Sequence, residues 1–419
     1  MKFLHAADLH IDSPLGGLSA YDGAPVERIR GATRRAVENM VETAISSKVD
    51  LIVIAGDVFD GDWKDYNTGL FWIAELCKLE AAGIPVVFVA GNHDASSEIG
   101  RKLRLPPNVT RLSSSEPETR RFDQLDVAVV GQSYPTRAVS VDLAAAYPLA
   151  DPGLFTIGLL HTSLDGRPDH ASYAPTSLDV LRGRGYQYWG LGHVHQREEV
   201  LADPWIVFPG NLQGRHARER GSKGASLVTV EGNSVQSVEH LSLDVVRWHE
   251  SYVDATELEH VDDVLAVVGR SLESAVAASD HRLVAARVRI VGRSPAHAVL
   301  WRDMARLEAE IRALGMRTGG VWVEKVKLDT RRPAELADRE DGDTIGGIAA
   351  RVKTLRQDSA ALTEYESLFT ALRNKIAADA RSGESAAFDT TSLGGAAHIA
   401  DTLDASLELI MSLLDEADE

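Results

Sequence analysis

The chain has 419 residues, more than one hydrophobic core usually serves, so one large domain and at least one smaller one are expected. Hydrophobic residues at 44% and charged residues at 25% match ordinary globular usage and exclude a largely disordered protein. A formal net charge of -18 works against nonspecific nucleic-acid binding, which draws on lysine and arginine, although the segment 401–419 alone holds seven acids and no base.

The opening MKFLHAADLHIDSP begins as an apolar run that Asp8, His10 and Asp12 interrupt, so neither a signal-peptide core nor a membrane span is expected there, and no later run is long enough to span. Cys77 is the single cysteine, which excludes a disulfide framework and a thiolate zinc cluster and fits a cytoplasmic protein. Its place in the helical pattern of 67–82 makes it an expected core filler. Up to about Val230, short apolar runs alternate with helical or loop stretches, the grammar of an α/β fold. The clear strands are 2–6, 50–55, 85–90, 126–131, 155–160 and 186–191, each ending at polar residues. From 246 to 330 the order becomes strand, helix, strand, helix, strand, with elements at 246–253, 258–277, 283–291, 297–314 and 321–328. A charged break comes next, then helical stretches at 345–380 and 396–414 joined by the Ser/Gly-rich 381–395. The expected division is therefore 1–245, 246–330 and 331–419.

Five motifs carry the chemistry: Asp8-Leu9-His10, Gly56-Asp57-Val58-Phe59-Asp60, Gly91-Asn92-His93-Asp94, His161, and Gly192-His193-Val194-His195. Asp8, Asp57, Asn92, His161 and His193 each follow the carboxyl end of an expected strand, the edge where open α/β sheets place their ligands. A donor set of imidazoles and carboxylates without sulfur suits manganese, iron or zinc better than calcium or a structural zinc site. In the pairs Asp8/His10 and His193/His195, residues i and i+2 of an extended chain point to one side, so each pair can grip one ion. Two divalent ions about 3.5–4 Å apart need an anion between them, and Asp57 is the natural bridge. Asn92 adds a neutral oxygen, leaving the site cationic enough to favour a phosphoester. Such a pair activates water and polarises a phosphoryl oxygen for in-line attack. His93, facing away from the ions if Asn92 faces them, is the candidate general acid to the leaving oxygen or cation on the phosphorane-like charge, with Asp94 holding its tautomer. Glycines 56, 91 and 192 allow close backbone approach.

Singly these motifs are weak, since Gly-Asp is a common turn and a lone histidine such as His161 is more often core or surface than ligand. Together, in one order and each at a strand end, they resemble the calcineurin-like metallophosphoesterase pattern D-x-H, G-D-x-x-D, G-N-H-D/E, H and G-H-x-H. The start Phe3 to His10, the run from Phe208 to His216, and the domain order are similar to the nuclease subunit of SbcCD-type bacterial DNA repair exonucleases, in its YhaO-like branch. That resemblance covers the first 245 residues by motif and the rest by order alone. It implies a metallophosphoesterase sandwich with a small α/β capping domain and a helical C-terminal tail. One ion would take Asp8, His10, Asp57 and His195, and the other Asp57, Asn92, His161 and His193, with manganese expected and iron, zinc or magnesium as alternatives. It further implies DNA ends as substrate, DNA contact by the small domain, and an SbcC-like coiled-coil ATPase bound by the C-terminal helices; pairing of two copies stays open.

Arg215 and His216 follow a Pro-Gly-Asn turn close after the last motif and are candidate substrate contacts, with turn stabilisation the competing role. Arg28, Arg30, Arg34 and Arg35 read first as a solvated helix face among acids such as Glu27 and Glu38. Most of the seven tryptophans sit in apolar patterns and read as core rather than base-stacking platforms. Two rivals to a DNA-end nuclease remain: a phosphatase or phosphodiesterase for small molecules or phosphoproteins on the same metal site, and a noncatalytic scaffold. The intact ligand set opposes the scaffold; the long C-terminal extension opposes a compact phosphatase, and the acidity opposes a nuclease.

Overall fold

The computed structural model describes residues 1–13, 29, 31–61, 66–97, 100, 103–165, 173–333 and scattered positions beyond 346. The expected helices at 345–380 and 396–414 therefore lie almost wholly outside the described residues, as do Arg28, Arg30 and Trp63. By internal contacts the described chain forms two units. The first runs to Arg247 and leaves out His216–Arg218, which group with the second unit, the part of the chain from Trp248 onward.

The strands of the first unit are, in chain order, β1 (Lys2–Ala6), β2 (Leu51–Ile54), β3 (Val86–Phe88), β4 (Val109–Arg111), β5 (Glu118–Phe122), β6 (Val127–Gly131), β7 (Phe155–His161), β8 (Tyr188–Gly192), β9 (Glu198–Ala202), β10 (Trp205–Phe208), β11 (Gly224–Glu231) and β12 (Ser234–Ser242). They make two six-stranded sheets, ordered β12-β11-β1-β2-β3-β4 and β5-β6-β7-β8-β10-β9. The runs β1 to β4 and β6, β7, β8, β10 are parallel, so their carboxyl ends gather at one edge of each sheet.

Strand β2 reads Leu-Ile-Val-Ile without polar alternation because both of its faces are covered. Leu51 and Val53 join Val129, Ile157 and Leu159 in the core between the sheets. Ile52 and Ile54 turn the other way, onto helices α1 (Ala32–Ser46) and α2 (Asn67–Ala81). Helix α2 corrects the expectation for Cys77: Trp72, Glu75, Leu76 and Leu79 are its buried stripe, and Cys77 falls on the opposite, exposed face. Trp72, Trp189 and Trp248 are buried, as expected of core residues.

His5 points into the inter-sheet core, where its Nδ1 lies 2.9 Å from the Tyr188 hydroxyl. Burial pushes this imidazole down to about 3 from 6.5, only partly offset by a backbone hydrogen bond at Leu191. The unfolded chain therefore takes up a proton that the folded one refuses. Stability is complete above pH 6.5 and falls as pH drops, by up to about 1.4 kcal/mol per unit. Between pH 6.5 and 5 the wild type should lose about 2 kcal/mol more than a His5→Gln variant, by urea unfolding in EDTA; equal slopes would show that His5 is not the group responsible.

The second unit has strands β13 (Val246–Asp254), β14 (Leu283–Arg293) and β15 (Val321–Arg331) in one sheet, with β14 and β15 parallel. Helix Val261–Ala277 buries Val264, Val268 and Leu272 against it. The single helix expected at 297–314 is two, His297–Arg302 and Met304–Thr318, because the Asp303 carboxylate accepts the Arg306 N–H and caps a new start. Among the described residues, no helix is long and apolar enough to cross a membrane.

Candidate metal centre

The loops after β1 and β2 are zipped together by backbone hydrogen bonds from Asp8 to Gly56 (3.0 Å), His10 to Asp57 (3.1 Å) and Ile11 to Val58 (3.0 Å). Asp8, His10 and Asp57 have φ of 52°, 42° and 52°, and His193 has 95°, all in the left-handed region that side chains other than glycine rarely occupy. This corrects the expected origin of the Asp8/His10 pair. The two donors converge through left-handed turns rather than through strand alternation. Glycine serves the same loops by absence: a Cβ on Gly192 would stand 2.0 Å from the Ala55 carbonyl oxygen, and one on Gly91 2.2 Å from Asp57 Oδ1.

Donor atoms of Asp8, His10 and His195 lie within 4.8 Å of one another, as do those of Asp8, Asp57 and His161. Asn92 opens the short helix Asn92–Ser96 and sets its Oδ1 2.8 Å from His161 Nε2, while Asp57 Oδ2 is 3.4 Å from the same nitrogen. The His193 ring packs edge-on to His161 with centroids 5.3 Å apart, and the His193 N–H donates to both Asp8 oxygens at 3.1 and 3.0 Å. All seven expected ligands thus meet at one place, and all are buried.

The protons on these rings can be placed from their partners. His161 Nδ1 donates to the Ala55 carbonyl at 2.9 Å, so Nε2 is the ring nitrogen turned to the cluster. His195 Nδ1 is 2.7 Å from Glu219 Oε1 and 3.2 Å from Arg215 Nη2; the shorter contact, to a carboxylate, fixes the proton on Nδ1. His10 Nδ1 lies 3.2 Å from Asp60 Oδ1. The Nε2 atoms of His10 and His195 face each other at 3.3 Å in the cluster. Two imidazole nitrogens turned toward each other beside the buried Asp8 and Asp57 carboxylates are nitrogen and oxygen donors of the kind that hold divalent transition metals, so the residues fit such a pair.

Within the cluster the carboxylates and imidazoles pair their charges. Burial, then repulsion from Asp57, raises the Asp8 carboxyl to about 6 against the pull of His195 and His161. Burial would also raise Asp57, but His161, His93 and His10 outweigh it and hold that carboxyl below its usual range. His161 is raised to about 9: burial opposes the charge and Asp57 overcomes it. Burial, helped by Arg215, lowers His10 to about 4.

His93 sits at the rim, its side chain 23% exposed, with its ring edge-on to His10 at 5.0 Å between centroids. Its Nδ1 is 3.1 Å from Asp60 Oδ1, which corrects the role expected of Asp94. The Asp94 carboxylate is taken up by three backbone N–H groups, of Val58, Phe59 and Gly91, and ties the two glycine loops together. Asp60 is the orienting carboxylate that sequence reasoning passed over, although it ends one of the five motifs. Burial opposes its charge, but His10, His93 and Arg215 hold it well below the usual carboxylate range.

Arg215 is in the cluster but buried, its side chain 3% exposed, with Nη1 3.6 Å from Asp60 and Nη2 3.4 Å from Glu219. His216 groups with the second unit and accepts the Arg218 N–H on its ring. Lys223, also buried, donates to the His195 carbonyl at 2.7 Å. Glu219 and Lys223 carried no sequence signal, being two among many charged residues in the run 215–223. Of the early arginines, Arg34 is a bidentate partner of Asp12 and Arg35 an exposed partner of Glu38.

Residues 1–197 match the model of the calcineurin-like phosphoesterases, and residues 248–331 that of the middle domain of metallophosphoesterase YhaO. Those first 197 residues are thus a match to the calcineurin-like phosphoesterase family, and the two six-stranded sheets have the calcineurin-like phosphoesterase fold. It is similar to a Bacillus subtilis protein described as uncharacterized metallophosphoesterase YhaO, with 35% identity over 272 residues, 64% of this chain and 66% of the relative. It is also similar to the DNA double-strand break repair protein Mre11 of Methanopyrus kandleri, with 27% identity over 229 residues, 50% of this chain and 48% of that one. The chain thus spans 66% and 48% of the lengths of these two relatives. A dimetal phosphatase from Danio rerio aligns with 58% of this chain and 97% of its own at 11% identity, with a TM-score of 0.34.

Proposed function

We propose that the chain is a two-metal phosphodiesterase whose substrate is DNA, with manganese as its native metal and a coiled-coil SMC-like ATPase as its partner. The observation that carries the phosphodiesterase reading is the convergence of two buried donor groups, Asp8, His10, His195 and Asp8, Asp57, His161, each with its donor atoms within 4.8 Å of one another, a set that can hold a metal pair. When bound, such a pair supplies an activated water and neutralises charge developing on the phosphoryl oxygens. The protein's part is positional. Asn92 contributes a neutral donor that leaves net positive charge for a phosphodiester, and His93, held by Asp60 at the exposed rim, protonates the leaving oxygen. The DNA assignment is supported by the likeness to repair proteins and by the length of chain beyond the catalytic unit.

The test sets the purified chain with manganese against end-labelled duplex DNA and, separately, against an aryl phosphodiester. Cleavage of DNA, raised by the ATPase, is expected. Cleavage of the ester alone, unchanged by the ATPase, would remove DNA and leave the acidic chain as a phosphatase or diesterase for small molecules. Deleting residues 345–419 should spare cleavage of the ester and abolish ATPase binding, read by co-sedimentation; loss of ester cleavage by a truncated chain that still folds would contradict this.

A further inference from the structure

The two halves of the centre are braced unequally. His161 is backed by a neutral backbone carbonyl, Ala55 O at 2.9 Å. His195 and His10 are each backed by a carboxylate, Glu219 at 2.7 Å and Asp60 at 3.2 Å. A carboxylate behind an imidazole fixes its tautomer and raises its basicity as a ligand more than a carbonyl does. Glu219 is itself held on every side: its Oε2 accepts the Arg215 N–H at 2.6 Å and the Asn211 amide at 2.8 Å. Arg215 spans to Asp60 with its other nitrogen, so one buried guanidinium latches the two bracing carboxylates.

Resting on the two-metal reading above, we propose that the metal positions differ in affinity, the one at His10 and His195 being the tighter, and that Glu219 is the positioning residue that makes it so. Glu219 acts through His195 and Arg215, at one remove from any ion or substrate. Its removal should weaken one position and leave the other.

The experiment titrates Mn²⁺ into the full-length chain by calorimetry, with free Mn²⁺ followed by electron paramagnetic resonance. The wild type should show two classes of site. Glu219→Ala should weaken the tighter class by about 10- to 100-fold, Glu219→Gln by about tenfold, and activity of both should recover at saturating manganese. His161→Ala should instead remove the weaker class. If Glu219→Ala does not fold, by circular dichroism in EDTA, the isosteric Glu219→Gln alone decides. Two equal classes in the wild type, or unchanged affinities in Glu219→Gln, would overturn the proposal. Absence of any manganese binding by the wild type would instead overturn the two-metal reading on which it rests.

Discussion

Replacing Asp57 by alanine should cost the largest share of activity of any single change, a fall on the order of 10³-fold or more in kcat/KM. The reason lies in its position. Its Oδ1 accepts the His93 N–H at 3.0 Å and its Oδ2 lies 3.4 Å from His161 and 4.0 Å from His10, so it reaches donors of both halves of the cluster. Without it, two divalent ions at bridging distance face each other unscreened, and several kcal/mol of charge stabilisation is lost, each 1.36 kcal/mol a factor of ten. The variant should also bind fewer than two manganese ions at concentrations that saturate the wild type. Near-normal turnover on the aryl diester with two ions retained would show that Asp57 is not the bridge.

His93→Ala should lower kcat by about 10²- to 10⁴-fold, the range for a positioned proton donor, with both ions still bound. His93 forms a third donor group with His10 and Asp60 at the rim and stands outside the two buried groups that include Asp8, so the metal content of the variant separates a proton donor from a ligand. Plotted against pH, wild-type kcat should show a limb that the variant lacks. Stopped-flow turnover with metal content read in parallel makes the comparison. Loss of an ion together with activity would turn His93 from a proton donor into a ligand.

The candidate ligands stood out in the sequence because the strands before them are largely buried. A doubly buried strand is mostly apolar, so a cluster of polar residues just past it marks the sheet edge, as at Asp8 after β1 and His161 at the end of β7. The antiparallel pairing of β11 beside β1 was not legible, since it joins Lys2 to Thr229 across the chain without any local signal. Nor was the left-handed backbone at Asp8, His10 and Asp57, which tertiary hydrogen bonds impose on residue types that ordinarily avoid it. The outer carboxylates divide the same way. Asp60 was inside a motif yet without a role, because only folding shows that it, rather than Asp94, faces the His93 ring. Glu219 lies 24 positions beyond His195, and nothing in their spacing announces the contact.

The claim on which everything rests is that seven buried side chains enclose a pair of divalent ions around Asp57. Crystals soaked in manganese and measured at an energy where that metal scatters anomalously should give two peaks flanking the Asp57 carboxylate, one beside His10 and His195 and one beside Asn92 and His161. A map with no peak next to Asp57 would contradict it.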